Sequence, residues 1–277
     1  MTSTNLITLL PLGTCAGDFN PYQAYSSYLL MAGSGQILLD AGSWRLFFGK
    51  QINYSKLRAI FLTHGHDDHV AFLGSVLFRS LLGPKRIPLH IYYPTRWTSL
   101  DFILRVFLRI FPKGRLILHP ITPKSPCQIC QMHLDPWNVR VSWSKVIHPG
   151  YTLGYRFDFK SSLRTFSLAY TPDTSFFSLN AGHLARNADY WMLDSTFSTP
   201  TLEGFYWAPY TPESYLLHSS PGFSALLAKS AGVKTYIIAH FYFRRYPRPV
   251  IANILRDANL ICKTRAIVAW DLHPIRL

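Results

Sequence analysis

Glutamate is almost missing from the chain: Glu203 and Glu213 are the only two among 14 acidic residues, against 28 lysines and arginines. The formal net charge is +14 at pH 7, and several of the aspartates are candidate site residues, so the surface is more basic still. That balance favours a polyanionic partner, nucleic acid before membrane, through phosphate contact and counterion release. Cysteine is also sparse, with four in 277 residues, which rules out a disulfide framework. Cys15 and Cys262 are isolated thiols. Cys127-x-x-Cys130 with His133 supplies three ligands of a small structural zinc site whose fourth is not evident, so a plain loop with reduced thiols is the expected reading. No apolar run reaches the ~18 residues that a membrane span needs. Met1-Thr2-Ser3-Thr4-Asn5 lacks the basic start of a signal peptide, so the expected setting is the cytoplasm, with no membrane association. No linker, low-complexity tract or short repeat divides the sequence, and residues 1–277 are expected to form one large domain.

What is abundant is histidine in one place. Phe61-Leu62-Thr63-His64-Gly65-His66-Asp67-Asp68-His69-Val70 crowds three histidines and two carboxylates into six positions after an apolar, strand-like run. Imidazole and carboxylate together suit Zn²⁺, Mn²⁺ or Fe. The i, i+2 spacing of His64 and His66 around Gly65 lets a tight turn aim both rings at one point, and Asp68 and His69 can face a second point beside it. A merely solvated turn has no reason to repeat one easily deprotonated ligand type three times.

The order T-H-x-H-x-D-H, after a strand and opening a helix, is the signature of the metallo-β-lactamase superfamily, and the chain resembles it. Further stretches are similar to one branch, the tRNA 3′-processing endonucleases (ribonuclease Z). Leu12-Gly13-Thr14-Cys15-Ala16-Gly17 is like the L-G-T-G-S-G opening, and His148 with Gly154-Tyr155-Arg156 is like H…G-Y-R. Tyr170-Thr171-Pro172-Asp173-Thr174 is like Y-S-G-D-T, with Pro172 stiffening the turn. Leu193-Asp194-Ser195-Thr196-Phe197 resembles H-E-A-T-F, with Leu for His and Asp for Glu, and His218-Ser219-Ser220 resembles H-S-T. Ala239-His240-Phe241-Tyr242-Phe243-Arg244-Arg245-Tyr246 resembles T-H-F-S-x-R-Y, and Ala269-Trp270-Asp271 the terminal A-x-D.

The resemblance implies an α/β fold, the αββα four-layer sandwich, holding two divalent metal ions, zinc first, with manganese or iron as alternatives. It implies His64, His66 and His148 on one ion, Asp68, His69 and His240 on the other, and Asp173 bridging. Asp40 would hold the ligand turn from behind. Two cations ~3.5–4 Å apart activate a shared water for attack on phosphorus. Asp68 would take that water's remaining proton, His218, held by Asp194, would protonate the departing oxygen, and Arg244 or Arg245 would bind phosphate. The expected activity is therefore a metal-dependent phosphodiesterase or endoribonuclease acting on RNA such as a tRNA precursor; a homodimer is left open. A small-molecule (cyclic phosphate) phosphodiesterase or another hydrolase of the superfamily is the alternative. A non-catalytic basic nucleic-acid-binding protein is disfavoured, because every ligand position that can be matched holds a competent side chain.

Hydrophobic patterning places strands at residues 6–10, 25–30, 36–40, 89–93, 164–170, 234–240 and 267–271. It predicts a helix over residues 70–82, covered by other structure, and a mostly buried helix over 100–111 with a narrow charged stripe of Asp101, Arg105 and Arg109. A last helix is expected at Pro249 to Leu260. Between Arg79 and Lys124 nine basic residues face one acid, Asp101, which makes this stretch a candidate wall of a polyanion groove. The stretch from Pro149 to Pro172 leaves no room for the long tRNA-gripping arm of many ribonuclease Z enzymes, so if the chain cuts tRNA precursors that grip would come from this basic stretch or from a partner. RNA affinity is expected to fall steeply with salt when fluorescence anisotropy is followed from low to physiological ionic strength; a flat response would favour a small substrate.

Overall fold

The computed structural model describes residues 6–17, 23–48, 50–82, 87–196, 217–241, 251–252, 255–256, 258–260 and 265–277. The chain divides into two compact units. The first comprises Met1–Pro126, Met132–Asn138 and Trp270–Leu277, and the second Cys127–Gln131 and Val139–Ala269.

In the first unit β1 (Ile7–Gly13), β2 (Ser27–Ala32) and β3 (Gly35–Leu39) form an antiparallel meander, and β4 (Leu57–Phe61), β5 (Leu89–Pro94) and β6 (Leu116–Ile121) continue the sheet in parallel from β3. The two-residue β14 (Ile275–Arg276) closes the edge beside β1. The central strands read as nearly continuous apolar runs because both faces are covered. Ile37, Leu38 and Leu39 are all fully buried, as are Ile60 and Phe61. The connections carry α1 (Arg45–Phe48), α2 (Asp67–Val70), α3 (Leu73–Leu82) and α4 (Thr98–Ile110). Leu73, Val76 and Leu77 of α3, and Leu100 and Leu104 of α4, join Leu38, Ile60 and Ile91 in one core cluster.

The second sheet, most of which lies in the second unit, has the order β13-β12-β11-β10-β9-β8-β7. Its strands are β7 (Gln128–Leu134), β8 (Trp137–Lys145), β9 (Leu153–Lys160), β10 (Thr165–Thr171), β11 (Tyr190–Asp194), β12 (Thr235–Ala239) and β13 (Arg265–Val268). Here too an antiparallel pair, β9 with β10, leads into parallel strands, β10 to β13. The short connection between His148 and Asp173 is this strand pair. Helices α5 (Leu179–Leu184) and α6 (Pro221–Ser230) lie in the crossovers; Ser220 caps α6 by accepting from the Phe223 amide. Trp191, Tyr155, Phe157 and Tyr236 are among the largest fully buried side chains.

Two helix expectations are corrected. Residues 70–82 do not form one helix: α2 starts at Asp67, and the chain breaks at Ala71-Phe72, where the Phe72 amide leaves the helical ladder to donate to the Ala41 carbonyl (2.9 Å). Nor is α4 mostly buried. Only Leu100 and Leu104 face the core fully, while Phe102 is 68% exposed and Val106, Leu108 and Ile110 are also exposed, as are Phe78 and Leu82 of α3. Arg105, Arg109 and Lys113 are exposed beside them. Among the described residues no helix is long and apolar enough to cross a membrane.

In the core of the second unit, Trp191 fills a fully buried position and donates its indole N–H to Thr171 Oγ1 (2.9 Å). Trp191→Ala removes that volume and strands the hydroxyl. It is expected to cost about 3–5 kcal/mol in urea unfolding.

Candidate metal centre

The site residues sit where strands end. In the first unit β3 runs into Asp40, which is fully buried and adopts a left-handed backbone (φ 53°). Its Oδ1 accepts from the Thr63 amide (2.7 Å), and its Oδ2 accepts from the Thr63 hydroxyl (2.8 Å) and from His69 Nδ1 (2.8 Å). A buried carboxylate is tolerated only when its oxygens are matched by donors, and here all three donors belong to the segment Thr63 to His69. The turn after β4 is thus fastened to the end of β3. Ala41 donates to the His69 carbonyl (2.7 Å), and Gly42 lies so close to α2 that a Cβ would meet the Asp68 carbonyl oxygen at 1.8 Å. Gly65 is likewise obligatory, because its Cβ would strike the Trp97 ring at 2.7 Å.

That packing sets the rings. His64 Nε2 and His66 Nδ1 are 2.9 Å apart, the His64 Nδ1 edge lies 3.1 Å from Thr63 Oγ1, and His69 Nε2 is 3.6 Å from Asp68 Oδ2. Trp97 stands edge-on to both His64 and His66, with ring centroids 5.7 and 5.1 Å away.

In the second unit the turn after β10 carries Asp173, and the first residue after β12 is His240, again with left-handed backbone (φ 54°). His148 lies in the loop after β8. Asp173 Oδ1 is 3.0 Å from His240 Nε2 and its Oδ2 is 3.4 Å from His148 Nε2, all three residues being buried. His148 Nδ1 donates to the Leu217 carbonyl (3.0 Å), since a carbonyl can only accept, so in the neutral ring Nε2 is the nitrogen without a proton.

Asp194, the last residue of β11, is the counterpart of Asp40. It accepts from the amides of Thr174 (3.1 Å) and Thr196 (2.8 Å), from the Thr196 hydroxyl (2.7 Å) and from His218 Nδ1 (2.8 Å). The shorter acid in place of glutamate still reaches the histidine. Burial pushes the Asp194 carboxyl up, but the adjacent His218, followed by His240, outweighs it and holds it below the usual carboxylate value. Burial also disfavours the His218 imidazolium, yet the charge and hydrogen bond of Asp194 overcome that and raise its pKa.

The donor chemistry fits divalent cations. Each unit gathers imidazole and carboxylate groups suited to divalent metal binding, and imidazoles fastened at Nδ1 present Nε2, the arrangement that metal-bound histidines adopt. Arg244, Arg245 and Cys262 lie outside the described residues. Cys127 is exposed and Cys130 half-buried, and no ligand cluster among the described residues includes them or His133. Sequence reasoning gave no role to Thr63, Thr196 or Trp97. The two threonines stand inside the quoted motifs, so their places were visible; Trp97 has no local signal, because it reaches Gly65 from the loop after β5.

A model of the β-lactamase superfamily domain matches residues 36–241, and the chain belongs to that superfamily. Ribonuclease Z of Chlamydia muridarum is 28% identical over 147 residues, which are 52% of this chain and 46% of that one; the chain thus spans about half the length of the curated relatives it matches. Among solved structures, the metallo-β-lactamase fold protein YhfI from Bacillus subtilis superposes with a TM-score of 0.71 at 21% identity, covering 97% of this chain and 99% of the other. The short form of human tRNase Z gives a TM-score of 0.69 at 19% identity, with 97% and 98% covered. The fold is therefore the α/β fold of the metallo-β-lactamases, and the likeness to ribonuclease Z reaches beyond the one histidine motif.

Asp40→Asn retains a residue that tolerates the left-handed backbone but turns an amide toward buried donors. It is expected to lower unfolding free energy by about 1.5–3 kcal/mol in chemical denaturation, whereas Asp67→Asn, on the outer side of α2, is expected to change it by less than about 0.5 kcal/mol.

Proposed function

We propose that the chain is a two-metal phosphodiesterase of the ribonuclease Z type, an endoribonuclease acting on RNA. Support for metal-dependent hydrolysis as the class of activity comes from superfamily membership together with the His/Asp clusters. The finer assignment rests on the similarity to ribonuclease Z and on the charge of +14. The observation that carries it is the fastening of the T-H-x-H-x-D-H turn to Asp40, alongside a second set of His148, Asp173 and His240 gathered at strand ends.

In this proposal His64, His66 and His148 would hold one zinc ion and Asp68, His69 and His240 the other, with Asp173 available to both. Zinc, when bound, supplies Lewis acidity and lowers the pKa of water. The chain's own residues supply the rest. Asp68 would accept a proton while serving as a ligand. His218, whose pKa the neighbouring Asp194 raises, would be the proton donor to the departing oxygen. Arg105, Arg109, Lys113 and Arg115, in the basic stretch around α4, bind the RNA backbone remote from the chemistry, and Arg244 or Arg245 binds phosphate near it.

His66→Ala and Asp173→Ala are each expected to abolish hydrolysis of bis-p-nitrophenyl phosphate and to lower bound metal, with circular dichroism unchanged. Full activity in either variant would remove the metal assignment. Reversal of Arg105, Arg109, Lys113 and Arg115 to Glu is expected to raise KM for precursor tRNA while small-substrate turnover stays nearly constant, because these charges contribute binding and no chemistry. Equal loss on both substrates would instead assign α4 to the support of the fold.

A further inference from the structure

We propose that Thr196 and Thr63 are positioning residues: each hydroxyl holds the Nδ1–H of one ligand imidazole, so that its Nε2 is presented to the metal as a lone pair. The inference rests on the metal reading above and assigns to these residues a task distinct from ligation.

Counting protons fixes the arrangement. A threonine hydroxyl has one proton to give and two lone pairs. Thr196 Oγ1 lies 2.7 Å from Asp194 Oδ1, and an ionised carboxylate accepts only, so the hydroxyl proton points there. The backbone carbonyl of His240, a competing acceptor at 3.2 Å, is farther away and uncharged. With its proton committed, Oγ1 can only accept, and the nitrogen beside it is His240 Nδ1 at 2.9 Å. That nitrogen must therefore carry a hydrogen. His218 Nδ1 is 3.3 Å from the same oxygen but has its own, closer acceptor in Asp194 Oδ2 at 2.8 Å. His240 Nε2, at the far side of the ring, then faces Asp173 Oδ1 at 3.0 Å, two groups that could hold a cation together.

The first unit repeats the device with different residues. The Thr63 hydroxyl donates to Asp40 Oδ2 (2.8 Å) and accepts from His64 Nδ1 (3.1 Å), while His69 Nδ1 bonds Asp40 directly (2.8 Å), as His218 bonds Asp194. In each unit one buried aspartate thus anchors one imidazole directly and a second through a threonine. The interposed hydroxyl leaves His240 Nδ1 3.9 Å from Asp194 Oδ1, so that the acid orients His240 mainly through the threonine.

The test uses Thr196→Val, which keeps the shape and removes the hydroxyl, and Thr196→Ser, which restores it, with Thr63→Val and Thr63→Ser as the matching pair. Zinc affinity is measured by competition with a chromophoric chelator, and the imidazole N–H protons of the zinc-loaded proteins are followed by NMR. The valine variants are expected to bind zinc about 10–100-fold more weakly and to lose one solvent-protected imidazole N–H signal, whereas the serine variants retain both properties. Wild-type affinity and an unchanged N–H spectrum in Thr196→Val would overturn the inference while leaving the metal reading intact. A wild-type chain that takes up no zinc would overturn the metal reading and this inference with it. Should a valine variant lose cooperative unfolding, the serine variant decides alone: rescue of affinity and signal supports the role, and failure to rescue removes it.

Discussion

Two carboxylates buried at the ends of strands, Asp40 after β3 and Asp194 at the end of β11, govern how both units are finished. Neither has any exposed surface, and a bare charge in such a place is costly unless donors converge on it. Most of the donors come from segments distant in sequence: residues 63 and 69 for Asp40, and residues 174 and 218 for Asp194, with the nearby Thr196 completing the second set. Satisfying the acids therefore draws loops that would otherwise be independent onto the strand ends, and those loops carry the imidazoles. Charge burial organises the site, and the sheets supply the low-dielectric setting that makes it matter.

The parts of the sequence that were legible on their own are those in which one local pattern has one physical outcome. The apolar runs at Gln36–Leu39 and Leu89–Tyr93 became buried central strands of the first sheet, and the T-H-x-H-x-D-H segment became a turn opening a helix. Asp40 could be placed behind that turn from the motif, but the bonds that make it necessary join β3 to the loop after β4 and are invisible along the chain. The two helix errors have separate causes. Residues 98–110 have more apolar positions than one face can hide, and composition cannot tell which of them meets the core. Leu100 and Leu104 do, four residues apart, and Phe102 and Val106, equally spaced, do not. The break between α2 and α3 was unreadable for another reason: it is made by Ala41, some 30 positions upstream, capturing the Phe72 amide.

The exposed apolar side chains of α4 alternate with Arg105 and Arg109. That mixture explains why net charge and hydrophobicity gave opposite forecasts for the same helix. A cationic surface seeks solvent or polyanions, whereas an apolar one seeks cover. Only the arginines point to a partner of definite chemistry, which is why the RNA assignment draws on charge and leaves the apolar residues aside.

The left-handed backbone at Asp40 and His240 has a consequence for the order of assembly. A non-glycine residue gains nothing from that conformation by itself, and holds it only while the surrounding contacts over-determine it. Strand and helix interiors close through ladders that each residue's neighbours reinforce, but these two corners depend on bonds that exist only after the sheets are formed. They should consequently be among the last parts of each unit to order and among the first to open. Amide exchange at Thr63, Thr174 and Thr196 would then run ahead of exchange in β4, β10 and β11, so that the ligand turns behave as separately melting pieces attached to a more durable frame.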